Sequence, residues 1–190
     1  MFEYFTQDTA PQESRQQIQE SIAAFGFFPK LHQILAAAPA TYEAYNRAFT
    51  LFQRHTSLTP LEQQVVMMTA NFENRCHYCT AGHSMLMKMA AMPAEHIEAL
   101  REGHPLSDPK LEALRVFTRQ LIGTRGHVGD EKLQVFLQAG YNQRQALEIL
   151  TGLAAKLISN FTNALAHTEL DEPIKALAWA HPDDRKSAAT

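Results

Sequence analysis

The sequence is short of cysteine, glycine, proline and β-branched residues, and each shortage excludes something. Two cysteines are too few for a disulfide framework, and 190 residues can bury a core without one. Five valines and eight isoleucines stand against 27 alanines and 20 leucines, with only eight glycines and nine prolines, which argues against sheets and for an all-α protein. Basic residues are outnumbered, giving a net charge of −3, so no positive field exists to draw nucleic acid or an anionic membrane surface. No long apolar run occurs either. The most apolar stretch, from Ala146 to Leu165, is broken by Glu148, Lys156, Asn160 and Asn163, which a lipid-facing helix tolerates badly. The amino terminus, MFEYFTQDTAPQES, lacks the basic flank and apolar core of a secretory signal, so a cytoplasmic location is expected.

What is present is helical periodicity, and it predicts about eight to ten helices. The first spans about 12–25, with Ile18, Ile22 and Phe25 on one face, and stops at Gly26. A short helix follows Pro29. The next runs from Pro39 to about Arg54 and buries Tyr42, Tyr45, Phe49 and Phe52. Thr59-Pro60-Leu61-Glu62 reads as a helix start leading to about Phe72, and Asn74 as the cap of a helix from Arg75 or Cys76 to about Ala91. Further helices are expected over about 93–103, 109–122, 130–139, 142–165 and 171–179, followed by a frayed tail, HPDDRKSAAT. GTRGHVGD is the most loop-like internal segment. The acid-rich DEPIK and HPDD read as solvated ends and caps.

The chemistry concentrates in Glu73-Asn74-Arg75-Cys76-His77-Tyr78-Cys79-Thr80-Ala81-Gly82-His83. If Cys76 opens a helix, Cys79 lies at about −60° and His83 at about −20° from it, so both thiols and the imidazole share a face. A thiol at a helix N-terminus meets unpaired N–H groups that favour the thiolate. The effect is large: a thiol with a pKa near ~8.5 is about 3% ionised at pH 7, and one lowered to ~7 is half ionised. His83 can exchange a proton at neutral pH, and Glu73 stands where a carboxylate could orient an imidazole. His77, between the cysteines, either lowers their pKa as an imidazolium or faces solvent. Tyr78 reads as a packing residue with a bound hydroxyl.

Two-thiol redox chemistry is therefore the leading reading. Three others compete: inert buried cysteines, a zinc site using both cysteines with His83 and His77, and a non-catalytic redox sensor. Zinc is disfavoured because no second cysteine pair exists. Asn160 and Asn163 face either the thiols or solvent. Met85, Leu86, Met87 and Met89 either line a pocket or pack in the core or a subunit interface. Most of the remaining histidines, His32, His55, His96, His104, His127, His167 and His181, are expected at the surface.

The block LTPLEQQVVMMTANFENRCHYCTAGHS resembles the carboxymuconolactone decarboxylase-like superfamily, and its C-x-x-C-x-x-x-H is similar to the AhpD-like alkylhydroperoxidase branch. The resemblance is densest from Leu58 to Met89. It implies an AhpD-like helical bundle, a single domain over residues 1–190 with its core at about 28–173, that works without a cofactor or metal and assembles as a homo-oligomer (dimer, trimer or hexamer). It also implies reduction of organic hydroperoxides by the cysteine pair, recharged by a dithiol or lipoyl-type partner. Cys79 matches the attacking thiol, Cys76 the resolving thiol and His83 the proton-relay histidine. One position departs from the pattern: the glutamate expected twelve residues before the first cysteine is Gln64. An amide cannot exchange protons at neutral pH. Glu62 faces another side of its helix, which leaves Glu73 as the substitute. The departure implies weaker or substrate-restricted peroxidase activity, raised by Gln64→Glu. The rivals are a carboxymuconolactone decarboxylase-type lyase, against which the paired thiols count, and a redox-sensing or partner-binding module.

Overall fold

Thr59 ends an extended segment and caps the helix around which the others are arranged. Its hydroxyl accepts the Glu62 N–H (3.3 Å) while the Glu62 carboxylate accepts the Thr59 N–H (2.8 Å), a reciprocal box that satisfies two backbone donors, with Pro60 preset for the first helical position. In the computed structural model, which describes residues 2–187, ten α-helices follow one another: α1 Arg15–Phe25, α2 Lys30–Leu35, α3 Pro39–His55, α4 Pro60–Glu73, α5 His77–Met89, α6 Ala94–Glu102, α7 Pro109–Gly123, α8 Asp130–Gln138, α9 Gln143–Ala166 and α10 Pro182–Ser187. Two 3₁₀ turns, Gln12–Ser14 and Glu172–Leu177, complete the described residues, among which there is no strand. The protein is all-α.

α4 is buried on nearly every side, since Val65, Val66, Met67, Met68 and Ala70 are all inaccessible, and it packs against α5, α6, α7 and α9. α9 lies along α3, and their approach depends on Gly152. A Cβ there would stand 2.8 Å from the ring of Phe52, which is itself fully buried. A stack of Phe117, Phe136 and Tyr141, with ring centroids 4.2 and 4.6 Å apart, closes one core beneath α4 and α7. A second core gathers Tyr42, Tyr45, Ala36, Ala81 and both cysteines between α2, α3, α5 and α9. Among the described residues no helix is long and apolar enough to cross a membrane.

Several expectations are corrected. Phe25 is 40% exposed and does not share the buried face of Ile18. Asn74 does not cap α5; it is the C-cap of α4, and Arg75 takes a left-handed turn (φ 51°) so that Cys76 itself becomes the N-cap. The expected helix at 171–179 is the 3₁₀ turn Glu172–Leu177. The HPDD tail is not frayed up to Ser187: α10 is tied by Arg75 to Asp183 (3.2 Å) and Asp184 (2.6 Å) and by Arg185 to Glu102 (2.5 Å). The tail's last three residues lie outside the described residues. Of the histidines expected mostly at the surface, His55, His104, His127 and His167 are exposed, whereas His32, His96 and His181 are buried. His181 packs on the ring of Phe72 at 4.5 Å.

Candidate active site

Cys76 and Cys79 are both buried and both free thiols. As N-cap, the Cys76 sulfur accepts the backbone N–H of Cys79 at 3.4 Å, which draws the first turn of α5 around it. From across the core, α9 presents Asn163, whose amide Nδ2 donates to the Cys79 sulfur at 3.2 Å and reaches the Cys76 sulfur at 3.8 Å. The Asn163 Oδ1 beside them is buried and has no hydrogen-bond partner. One turn earlier on α9, Asn160 bridges Asn71 and Asn74 at 3.0 Å each, fixing α9 to the α4–α5 junction.

A polar chain begins at the next turn of α5. The His83 Nδ1–H donates to Gln64 Oε1 (2.8 Å), which leaves Nε2 to accept from the Lys156 ammonium (3.2 Å). Lys156 is 2% exposed, and no carboxylate pairs with it among the described residues. It is the functional candidate that sequence reasoning missed. The signal was its spacing, i, i+4 and i+7 with Asn160 and Asn163, which puts three polar groups on one face of an apolar helix.

The electrostatics separate the two thiols. Burial opposes a Cys79 thiolate, but the hydrogen bond from the Cys76 thiol, the Lys156 charge and the amides of Asn160 and Asn163 outweigh it, so the Cys79 thiol is pushed well down. The same hydrogen bond to Cys79 holds the proton on Cys76, and burial adds to it, so that thiol is pushed far up. His83 falls well below the ordinary imidazole range, first through burial and then through Lys156. It is a neutral imidazole, not an imidazolium.

Cys79, His83 and Lys156 open onto one cavity of about 120 Å³ whose walls include Phe25, Phe27, Leu31, Tyr45, Phe49 and Ile174. Met85, Leu86 and Met89 line it too, while Met87 is core, so the methionine stretch serves both uses weighed from sequence. Cys76 lies behind Cys79 and does not line this cavity.

The other sequence candidates go elsewhere. Glu73 is turned away: it pairs with Arg119 on α7 (3.0 Å) and lines a separate, highly charged cleft under α10. The cause is the left-handed turn at Arg75, which points the end of α4 and the start of α5 in different directions. His77 donates from Nε2 to the Thr168 backbone oxygen at 3.0 Å, and so anchors the chain after α9 rather than facing the sulfurs. With a carbonyl as partner, the ring N–H is the donor. Tyr78 donates to Asp171, which also accepts the Lys30 N–H (3.1 Å); Asp171 is thus a buried acceptor and not a solvated end. Glu62 stays in its capping box and pairs with Lys110 (3.0 Å). Among the described residues no three His, Cys, Asp or Glu side chains converge as a metal site requires.

Residues 39–119, which contain the cysteine pair, Gln64 and His83, match the family model of carboxymuconolactone decarboxylase. The match covers less than half of the chain and shows what this segment is similar to. No curated protein matches the chain in sequence. Among solved structures it is similar to the alkylhydroperoxidase AhpD core of an uncharacterized peroxidase-related protein from Ralstonia eutropha JMP134. The TM-score is 0.81 at 18% identity, covering 91% of this chain and 93% of that one. An uncharacterized peroxidase-related protein from Silicibacter sp. TM1040 is similar with a TM-score of 0.74 at 15% identity, covering 87% and 88%. The debrominase Bmp8, in a cysteine-to-alanine variant with 2,3,4-tribromopyrrole, is similar with a TM-score of 0.76 at 15% identity, covering 93% and 94%. The fold is therefore the AhpD-like helical bundle; identities this low speak to the fold alone.

Proposed function

We propose that this protein is a thiol-dependent oxidoreductase that reduces organic hydroperoxides through a Cys76–Cys79 disulfide cycle. The observation that carries the reading is the division of labour between the sulfurs. The one poised as a thiolate, Cys79, opens onto an apolar cavity, and the one that keeps its proton, Cys76, sits within reach behind it. The Cys79 thiolate attacks the terminal peroxide oxygen, the O–O bond breaks, and the substrate leaves as an alkoxide that takes up a proton. Cys79 is then a sulfenic acid. Cys76 attacks its sulfur, water departs, and the disulfide closes. An external dithiol or lipoyl-type partner returns two electrons and two protons.

A cytoplasmic setting, where dithiols are kept reduced, fits this cycle. Association into a homo-oligomer belongs to the same reading, because α9 exposes Leu147, Leu150, Leu157, Phe161 and Leu165 along one flank. The test is consumption of cumene hydroperoxide with dithiothreitol as reductant. Cys79→Ser is expected to lose nearly all turnover, and Cys76→Ser to stop after one equivalent. Full activity in Cys79→Ser refutes the reading, and no hydroperoxide consumption by the unaltered protein favours the lyase alternative, whose chemistry has no use for the thiols. A disulfide that forms under peroxide without recycling favours a sensor.

A second reading rests on the aromatic walls of the cavity, Phe25, Phe27, Tyr45 and Phe49, together with the fold shared with a debrominase. Here the Cys79 thiolate takes a halogen from an electron-rich aromatic ring, the ring carbon gains a proton, and Cys76 displaces halide as the same disulfide closes. Bromide release from 2,3,4-tribromopyrrole in the presence of dithiothreitol distinguishes it.

A further inference from the structure

His83 cannot act as a relay between the thiol and a distant base, because both ring nitrogens are engaged and the far partner is an amide. Nδ1–H is held by Gln64 at 2.8 Å and Nε2 by Lys156 at 3.2 Å, so the chain of polar atoms starts at an ammonium and ends at a group with no exchangeable acid. Lys156 is the one charged member of that chain. An uncompensated cation at 2% exposure is costly, and it persists where something supplies the opposite charge.

The groups facing the site from each packed element offer one candidate for that charge. On α2, burial pushes His32 down to about 3, so it is neutral; on α3, burial pushes Tyr45 far up, so it keeps its proton. Tyr78 on α5 is likewise pushed up, and the Asp171 carboxylate is taken by the Tyr78 hydroxyl and the Lys30 N–H. Cys76 retains its proton and His83 is neutral. That leaves the Cys79 sulfur, which opens onto the same cavity as Lys156.

We infer that Lys156 is the counter-ion of the Cys79 thiolate and the acid that protonates the departing alkoxide, with His83 and Gln64 as the positioning residues that aim its ammonium. The acid role rests on the peroxidase reading; the counter-ion role does not. The charges balance without any ion entering or leaving the core. Attack of the thiolate on the peroxide yields a neutral sulfenic acid, and transfer of one proton from Lys156 to the alkoxide yields a neutral alcohol and a neutral amine. That amine then removes the proton from Cys76, the Cys76 thiolate forms the S–S bond, and the hydroxide that leaves Cys79 takes the same proton to become water. When a dithiol reduces the disulfide, Cys79 returns its proton to the Lys156 amine and the ion pair is restored. A buried pair that is discharged and recharged within itself avoids the desolvation cost of moving one charge alone.

The experiment uses the full chain in a Cys76→Ser background, which leaves one thiol, and measures iodoacetamide alkylation of Cys79 against pH. With Lys156 present, the rate is expected to hold its plateau to below pH 7. Lys156→Met is expected to move the profile to the ordinary thiol range or above, where about 3% is thiolate at pH 7, a drop of at least tenfold in rate at that pH. Lys156→Arg keeps the charge, so its profile stays near that of Lys156. Because a guanidinium does not release its proton, the same Arg change with Cys76 restored is expected to lower hydroperoxide turnover at least tenfold. An unchanged profile in Lys156→Met overturns the counter-ion role. Undiminished turnover in Lys156→Arg overturns the acid role. Should Lys156→Met not fold, Lys156→Gln, which keeps a donor toward His83, is measured and judged by the same criterion. If the unaltered protein consumes no hydroperoxide, the peroxidase reading fails while the alkylation series still decides the ion pair.

Discussion

Replacing Gln64 by glutamate exchanges one amide for a carboxylate at a hydrogen bond of 2.8 Å to His83, with almost no change of shape. In the native site the imidazolium form of His83 is opposed first by burial and then by Lys156, whose Nζ lies 3.2 Å from Nε2. A carboxylate on the opposite side of the ring, about 4 Å from the centre of the new charge, contributes about 4 kcal/mol at an effective dielectric of about 20. Its sign is opposite to that of the repulsion from Lys156, while the larger opposition from burial stays in place. His83 should therefore rise, with burial still opposing its charged form. The assay is a proton NMR titration of the imidazole resonances from pH 5 to 8, in the native protein and in Gln64→Glu, with His83→Gln in each background to identify the signal. The His83 resonances are expected to titrate at higher pH in the variant than in the native protein. Two results would refute the reasoning: a native His83 that titrates near ~6.5, or a variant His83 that titrates no higher than the native one. Hydroperoxide turnover supplies a second readout, expected to rise in the variant.

Three further outcomes are expected. Asn163→Leu removes the amide that donates to the Cys79 sulfur at 3.2 Å; a hydrogen bond to a charged group contributes about 1.5–3 kcal/mol, so the alkylation profile should move up by about one to two pH units, and an unmoved profile counts against the placement. Leu157→Glu combined with Phe161→Glu should lower the mass found by light scattering, and a native protein that is already monomeric removes the proposal that α9 is covered by another copy. The third concerns stability. Because the folded state holds the Cys79 thiol below its unfolded value of ~8.5, unfolding takes up a proton in that window. The associated stabilisation is complete above the unfolded value and is lost as pH falls toward the folded one. The Tm of the reduced native protein should thus gain on that of Cys79→Ser as pH rises toward ~8.5, with a slope of at most about 1.4 kcal/mol per pH unit. A constant difference between the two proteins means that the thiol is not depressed.

The helices were legible because periodicity and caps are local: the Thr59-Pro60-Leu61-Glu62 start and the burial of Tyr42, Tyr45 and Phe52 both follow from spacing. The junction between α4 and α5 was not. Asn74 has the chemistry of an N-cap, but the C-terminal turn of α4 claims it, and a left-handed Arg75 passes the role to Cys76. Choosing Glu73 for its nearness in sequence failed for the same reason, since a single left-handed residue redirects the chain. Lys156 was read only as a charge that spoils a membrane span, although its register with Asn160 and Asn163 marked a polar face. What that face meets, on a helix packed from more than seventy residues away, is tertiary information. The ion pairs that hold α10 to Arg75 and Glu102 are likewise invisible to any local pattern.

The first turn of α5 hangs on a sulfur rather than on an oxygen. Once Cys76 is bonded covalently to Cys79, that sulfur is drawn toward its new neighbour and can no longer hold the Cys79 amide as before, and an N-cap interaction is worth about 1 kcal/mol. Oxidation is therefore expected to reach the backbone, with amide exchange near Cys79 faster in a disulfide form than in the reduced one.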